Sequence, residues 1–345
     1  MEAGHGEQVC LMPDDTQYHS DEEILLTEGD DITSPLDAPE GFRSGFVALL
    51  GEPNVGKSTL MNALLDFKLA IVSPKPQTTR DAIRGIFTDE TCQIVFVDTP
   101  GVMDPQDAFN ACLRDNALVE LEGADVIYHL VDATEPHALP EVAREALDAI
   151  KTPLILIVNK ADLLPEFAEG VDSEGFETEI DFPFSTERYE RIIALSALTG
   201  RSLDRLIEET RRLLPEGDYL YDPDQITDRD MRFLSAEIVR EKVLENLQQE
   251  VPYSIAVQTE EFKEHPGSKH MIRVNIYVEH DSQKSIVIGK GGSMLKKIGS
   301  EARHEIEEMA DHPVFLELWV KVRKKWRKKE NALREFGYRI PKNQK

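Results

Sequence analysis

The run Gly51-Glu52-Pro53-Asn54-Val55-Gly56-Lys57-Ser58-Thr59 fits G-x-x-x-x-G-K-[ST] at each fixed position. Such a run can hold a polyphosphate. Two glycines let the backbone turn tightly and approach the anion, so that successive N–H groups and a helix N-terminus face it. Lys57 then brings a full charge to the β and γ oxygens, and the Ser58 hydroxyl can ligate Mg²⁺. Four further sets of residues can complete a nucleotide site. Gln77-Thr78-Thr79-Arg80 lies in a stretch too rich in Pro and Thr for a regular element, a candidate switch loop in which Thr79, rather than Thr78, reaches the metal and senses the γ-phosphate. Asp98-Thr99-Pro100-Gly101 follows an apolar run, with Asp98 placed to hold the metal through water and Gly101 to offer a backbone N–H. Asn159-Lys160-Ala161-Asp162 chooses the base, because a carboxylate at Asp162 accepts from the N1–H and NH₂ of guanine and would face a lone pair on adenine. Ser196-Ala197-Leu198 supplies a backbone N–H to the guanine oxygen.

Apolar runs and helical patterns alternate around these motifs, as needed to hold them at one edge. Phe46 to Leu50, Gln93 to Val97, Asp125 to Val131, Thr152 to Val158 and Ile192 to Leu195 read as strands, each motif falling at a carboxyl end. That is an α/β, doubly wound, mostly parallel sheet of the P-loop GTPase kind. The residue after Gly101 is Val102, whose apolar side chain cannot orient a water, so slow intrinsic turnover is expected. Asn54 is a candidate K⁺ ligand in the place of an arginine finger; its plainer role is to stabilise the loop.

A second region begins after Pro215-Glu216-Gly217-Asp218. A helix from about Arg229 to Gln248, strands at Tyr253 to Phe262 and Ile272 to Val278, two helices joined by Gly289-Lys290-Gly291-Gly292, and a strand at Val314 to Val322 describe an α+β, type II KH domain. Ile288 to Gly292 would clamp about four unpaired nucleotides, with Lys290 supplying charge. Lys321, Arg323, Lys324, Lys325 and Arg327, with Lys328 and Lys329, interleave with Trp319 and Trp326 and read as a phosphate-binding footprint.

The net charge over 345 residues is −26, which on its sum alone argues against a nucleic-acid partner. Its distribution points the other way, since residues 1–41 hold twelve Asp and Glu and no Lys or Arg. That stretch reads as a solvated, disordered acidic tail, or as one competing with RNA for a basic surface. Residues 165–190 read as an acidic surface insertion. Three widely spaced cysteines fit reduced thiols. No apolar run approaches the length of a membrane span and no signal peptide is visible, so residence in the cytoplasm is expected.

Together these motifs resemble the Era GTPases of bacteria and organelles over residues from about 44 to 340, with Asp224 to Arg229 and Val320 to Arg327 adding to the match. The resemblance implies an acidic extension at 1–43, a GTPase domain at 44–215, a linker at 216–228 and a KH domain at 229–340. It implies GTP and GDP as ligands and Mg²⁺ as cofactor, with recognition of the single-stranded 3′ end of 16S rRNA. It implies a monomer that acts on the 30S subunit during biogenesis, couples it to growth and division, and associates peripherally with the inner membrane. A signalling switch without RNA, a tRNA-modifying GTPase and a tandem GTPase are the alternatives. The second would need a folate or flavin domain and the third a second phosphate loop, neither of which the sequence has.

Overall fold

The computed structural model describes residues 38–73, 75, 78–102, 108–168, 180–248, 250–265 and 267–338. Six strands form the first sheet: β1 (Arg43–Gly51), β2 (Ile83–Thr88), β3 (Cys92–Asp98), β4 (Val126–Asp132), β5 (Leu154–Asn159) and β6 (Tyr189–Ala194). Their order is β2-β3-β1-β4-β5-β6, parallel throughout except for β2 against β3. Every residue of β3 and β5 is buried, as unbroken apolar runs demand of strands covered on both faces. Leu60 and Leu64 of α1 (Lys57–Leu65) pack on one face. Ala117 and Leu121 of α2 (Ala108–Glu122) and Ala143 and Leu147 of α3 (Glu141–Ala149) pack on the other. After the short helix α4 (Pro165–Ala168), α5 (Leu203–Leu213) returns to the α1 face through Leu206.

Two regions read as connections are tied into the sheet. β2 was not expected as a strand, since Arg84 and Gly85 interrupt its apolar pattern. Residues 216–228 run along it: Ile86 N donates to Ile226 O at 2.7 Å, and Gln93 Oε1 accepts from Leu220 N and Tyr221 N at 2.7 and 2.9 Å. The linker thereby covers an edge that would otherwise present open backbone groups. β1 begins at Arg43 with Phe42 already buried, so the folded part starts just before the expected boundary. The expected disorder of the tail concerns residues outside those described.

The second sheet has the order β7-β8-β9, from β7 (Ala256–Lys263), β8 (His270–Val278) and β9 (Val314–Val322), antiparallel then parallel. Ile272, Val274, Ile276 and Val278 alternate onto the face covered by α6 (Met231–Asn246) and α8 (Ser293–Ala310), the latter through Ile298, Ala302 and Ile306. Asp230 caps α6, its Oδ1 accepting from Phe233 N at 2.9 Å. α7 (Asp281–Ile288) leads into the glycine loop. A further helix, α9 (Glu330–Glu335), follows β9 where only a basic end was expected.

The expected surface insertion at 165–190 is partly core. Phe167 is buried, and Phe182, Phe184 and Tyr189 pack with it; residues 169–179 lie outside those described. His129 of β4 stands against Phe184 (centroids 5.4 Å apart) and shares a hydrogen bond of 2.6 Å between Nδ1 and the Tyr189 hydroxyl. Burial pushes its pKa down to about 4. The unfolded chain therefore binds this proton more readily than the fold, so the contribution of His129 is complete above about pH 6.5 and is lost as the pH falls toward about 4. Calorimetry across that window should show a loss of roughly 3 kcal/mol from this group, and His129→Phe should flatten the slope.

Candidate functional site: a nucleotide pocket and a glycine loop

Five residues join Gly51 at the end of β1 to Lys57 at the start of α1, and the turn requires left-handed backbone at Asn54 (φ 66°) and Gly56 (φ 98°). A Cβ on Gly56 would stand 2.2 Å from Asn159 Nδ2. Asn159 is committed within the protein: its amide donates to Val55 O at 2.8 Å, and its Oδ1 accepts from Ala197 N at 3.0 Å. It braces two loops against each other. Lys57 Nζ donates to the carbonyls of Gly51 and Glu52 at 3.0 and 2.9 Å. Burial lowers its pKa to about 8, against the pull of Asp98 and Glu52.

Ser58, Thr79 and Asp98 converge. The Ser58 hydroxyl donates to Asp98 Oδ2 at 2.6 Å and lies 2.9 Å from the Thr79 hydroxyl, which donates to the same oxygen at 3.1 Å. Asp98 Oδ1 is buried without a hydrogen-bond partner. Burial raises the pKa of this carboxyl, with Lys57 opposing. Hard oxygen donors around an orphaned carboxylate oxygen suit a small divalent cation. The Thr78 hydroxyl instead donates to Lys75 O at 2.6 Å, and Gln77 lies outside the described residues.

A cavity of about 400 Å³ opens over this cluster, lined by Asn54, Lys57, Ser58, Thr59, Thr79 and Lys160 among others. Gly101 also borders it, and a Cβ there would sit 2.9 Å from Pro53. Thr99 turns inward, its hydroxyl donating to Leu49 O at 2.6 Å, and Pro100 is buried. Val102 packs with Ala48, Leu50 and Leu121, so its side chain serves the core. Lys160 pairs with Asp132 at 2.6 Å, while Asp162 is half-buried in the turn that follows. Ser196 N and Ala197 N both bond within the protein, and the Leu198 side chain is exposed.

The loop after α7 has left-handed backbone at Gly289, Gly291 and Gly292 (φ 72°, 60° and 80°). A Cβ at Gly289 would meet Met294 N at 2.8 Å, whereas Gly291 and Gly292 face open space beside exposed Lys290. Ile288 packs against the second core. The basic end needs correction. Lys324, Lys325, Lys328 and Lys329 are exposed as expected, but Lys321 pairs with Glu260 at 3.3 Å and Arg323 with Glu335. The Arg327 guanidinium lies 5.5 Å from the Phe109 ring centroid. Trp326 is fully buried, edge-on to Phe109 at 5.3 Å, with its Nε1 donating to Ser254 O at 2.8 Å. It is core, because a ring that size beside α9 closes the junction between the two sheets.

Sequence reasoning missed how the switch loop is held. Arg80 is buried, and donates to Ile255 O at 2.5 Å and Pro252 O at 3.4 Å in the second half of the chain. Lys75 donates to the carbonyls of Leu244 and Leu247 at the end of α6. Glu241 accepts from Val72 N at 3.0 Å and from Lys68 at 2.6 Å. In an amphipathic helix such a glutamate looks solvated; only the tertiary fold buries it.

Family models match in two places: a 50S ribosome-binding GTPase over residues 46–160 and a KH domain over residues 250–327. The chain is 42% identical over 303 residues to GTPase Era of Ruminiclostridium cellulolyticum, covering 88% of this chain and 99% of that protein. It is 46% identical over 298 residues to GTPase Era of Geotalea daltonii, covering 86% and 98%. Among solved structures it is similar to an Aquifex aeolicus Era variant bound to GDP and aluminium fluoride (38% identity, TM-score 0.78, 86% of this chain and 99% of that one). It is equally similar to Era in complex with MgGDPNP and nucleotides 1506–1542 of 16S ribosomal RNA (39% identity, TM-score 0.78, 86% and 99%).

Two substitutions read the pocket separately. Gly56→Ala should abolish nucleotide binding in equilibrium dialysis, because the methyl group collides with the Asn159 brace on strained backbone. Asp162→Asn should lower GTP affinity about a hundredfold and raise that for xanthosine triphosphate, by reversing the polarity of one base contact.

Proposed function

The chain belongs to the Era family of GTPases and hydrolyses GTP to GDP and phosphate; we propose that it couples this cycle to binding the single-stranded 3′ end of 16S rRNA during 30S subunit biogenesis, linking ribosome supply to growth and division. The observation that carries the reading is Arg80, one residue beyond the Thr79 hydroxyl in the oxygen cluster and inserted into the backbone of the domain that bears Gly289 to Gly292. Whatever orders Thr79 also positions Arg80 against that domain.

Ser58 and Thr79 would hold Mg²⁺, with Asp98 reaching it through water; the bound ion would neutralise charge on the β and γ oxygens. Lys57 turns from the Gly51 and Glu52 carbonyls to the phosphates, and Gly101 allows close backbone approach. With Val102 committed to the core, no side chain at that position orients the attacking water. Slow turnover follows, and Asn54 would help a K⁺ ion supply the missing charge. The exposed Lys290, Lys324, Lys325, Lys328 and Lys329 would meet RNA phosphates. No helix among the described residues is long and apolar enough to cross a membrane. A monomer working where GTP and rRNA meet is cytoplasmic, and membrane association would be peripheral.

Gel shifts with an oligonucleotide of the 3′ rRNA tail should show tighter binding with GDPNP than with GDP. Equal affinities would end the proposed coupling while leaving both binding activities. Lys290→Asp with Gly291→Asp should abolish the shift and spare GTP binding. Single-turnover hydrolysis should be faster in KCl than in NaCl, and equal rates would remove the role given to Asn54.

A further inference from the structure

Lys160 stands between two cavities. With Pro53 and Asn54 it borders both the nucleotide cavity and a second one of about 260 Å³, whereas Asp132 and Thr134 border the second alone. Lys160 Nζ donates to Asp132 Oδ2 at 2.6 Å, which draws the ammonium toward that second side. Each partner is itself fixed. The other Asp132 oxygen, Oδ1, accepts from Thr134 N at 2.9 Å and from the Thr134 hydroxyl at 2.7 Å. Asp132 ends β4 directly opposite Asn159, and Ala133 N extends the pairing by donating to Asn159 O at 2.8 Å. Lys160 adopts left-handed backbone (φ 64°), which a residue bearing a Cβ takes only at some cost. Burial by itself would raise the pKa of the Asp132 carboxyl; the hydrogen bonds from Lys160 and Thr134 outweigh it and hold the group below its usual range, ionised.

Stability does not account for this arrangement. The Lys160 and Asp132 side chains are 35% and 23% exposed, and ion pairs so open to water contribute little to folding. The consequence lies in what the pair leaves facing the nucleotide. An ammonium turned into the nucleotide cavity would occupy the space of a base; one held on Asp132 leaves the four-carbon stem as the wall. A flat heteroaromatic base buries apolar area against such a stem and meets no charge there. We propose that Asp132 is a positioning residue for nucleotide binding, which anchors the Lys160 ammonium so that its stem forms the wall on which the guanine lies. This role rests on the reading of residues 159–162 as the base site. Contact with the base is the same before and during phosphoryl transfer, so losing the anchor weakens affinity for GTP and GDP alike and leaves the rate at saturation unchanged.

The test compares three variants of the full chain: Asp132→Asn, which removes the charge and keeps an acceptor for Thr134, Lys160→Met, which removes the ammonium and keeps an unbranched stem, and the two combined. Melting curves confirm that each is folded, equilibrium dialysis gives affinities for GTP and GDP, and single-turnover hydrolysis at saturating GTP gives the rate. Asp132→Asn should weaken both nucleotides about five- to tenfold, with the rate within about twofold of the parent. The double variant should then bind no more weakly than Lys160→Met alone, because Asp132 has no ammonium left to hold. Unchanged affinity in Asp132→Asn overturns the proposal. So does a further loss of the same size when Asp132→Asn is added to Lys160→Met, since Asp132 would then act on the loop and not through the lysine. A lower rate at saturation with affinity kept overturns it as well. Where Asp132→Asn does not fold, Thr134→Val, which removes one of the bonds that hold Asp132, takes its place in the same cycle. Asp162→Asn is the control: if it weakens GTP while Asp132→Asn does not, the positioning role fails and the base site stands, and if neither does, the base-site reading fails with it.

Discussion

A guanidinium taken out of water needs partners inside the protein, and Arg80 finds them for its two terminal nitrogens by reaching across the molecule. Carbonyls of Pro252 and Ile255 accept from it, and its charge lies 5.4 Å from the Phe109 ring centroid at the start of α2. Burial is the largest influence on its titration and lowers its pKa, with Tyr338 opposing. An arginine does not give up its proton in exchange for burial. The cost is met instead by fixing the relative position of three segments: the switch loop, the turn before β7 and the helix that follows the DxxG motif. Because Thr79 precedes Arg80, the oxygen cluster and the domain junction are two ends of one short lever.

A second set of charges holds the other end of the loop. Lys68 pairs with Glu241 and Glu305 at 2.6 and 2.5 Å, and Lys242 with Glu305 at 2.8 Å, so two lysines and two glutamates alternate between the segment after α1, α6 and α8. Opposed pulls of this kind raise the pKa of Lys68 although its burial lowers it, and depress that of Glu305 although its burial raises it. The network is partly exposed and so contributes little as stability. Its value is geometric: Glu241, the one member fully buried, also takes the Val72 N–H, and so ties the nucleotide loop to the helix that opens the second domain. Specificity of arrangement, more than net energy, is what paired charges of this sort contribute.

Much of this was legible in the chain because its chemistry is local. A glycine loop between a strand and a helix, a carboxylate at the end of an apolar run and a glycine tetrapeptide between helices each carry their function within a few residues, and the structure places Ser58, Thr79 and Asp98 together as their spacing requires. What was not legible depends on contacts far apart in sequence. Trp326 among lysines looks like a stacking residue until Phe109 and Tyr338 close around it. Asn159 reads as a base contact alone, and only the fold shows its amide also bracing Val55 and Ala197. β2 escaped because an antiparallel edge strand with an interior glycine lacks both the unbroken apolar run and the clean alternation that mark a strand.

The charge balance presents an apparent conflict that distance resolves. A chain of net charge −26 repels a polyanion only where its field survives, and in physiological salt that field decays over about 8 Å. The approach of a strand to the glycine loop is therefore governed by the charges nearest it, and the exposed Lys290 lies in the loop itself. Ion pairing divides the basic residues: Lys321 and Arg323 are neutralised by Glu260 and Glu335, whereas Lys290, Lys324 and Lys325 are exposed. Pairing at the first two ties β9 to β7 and the residues just after it to α9; exposure at the others leaves positive charge for a partner. One basic run thus performs two tasks because the acids that meet it come from β7 and α9, elements whose positions only the folded chain determines.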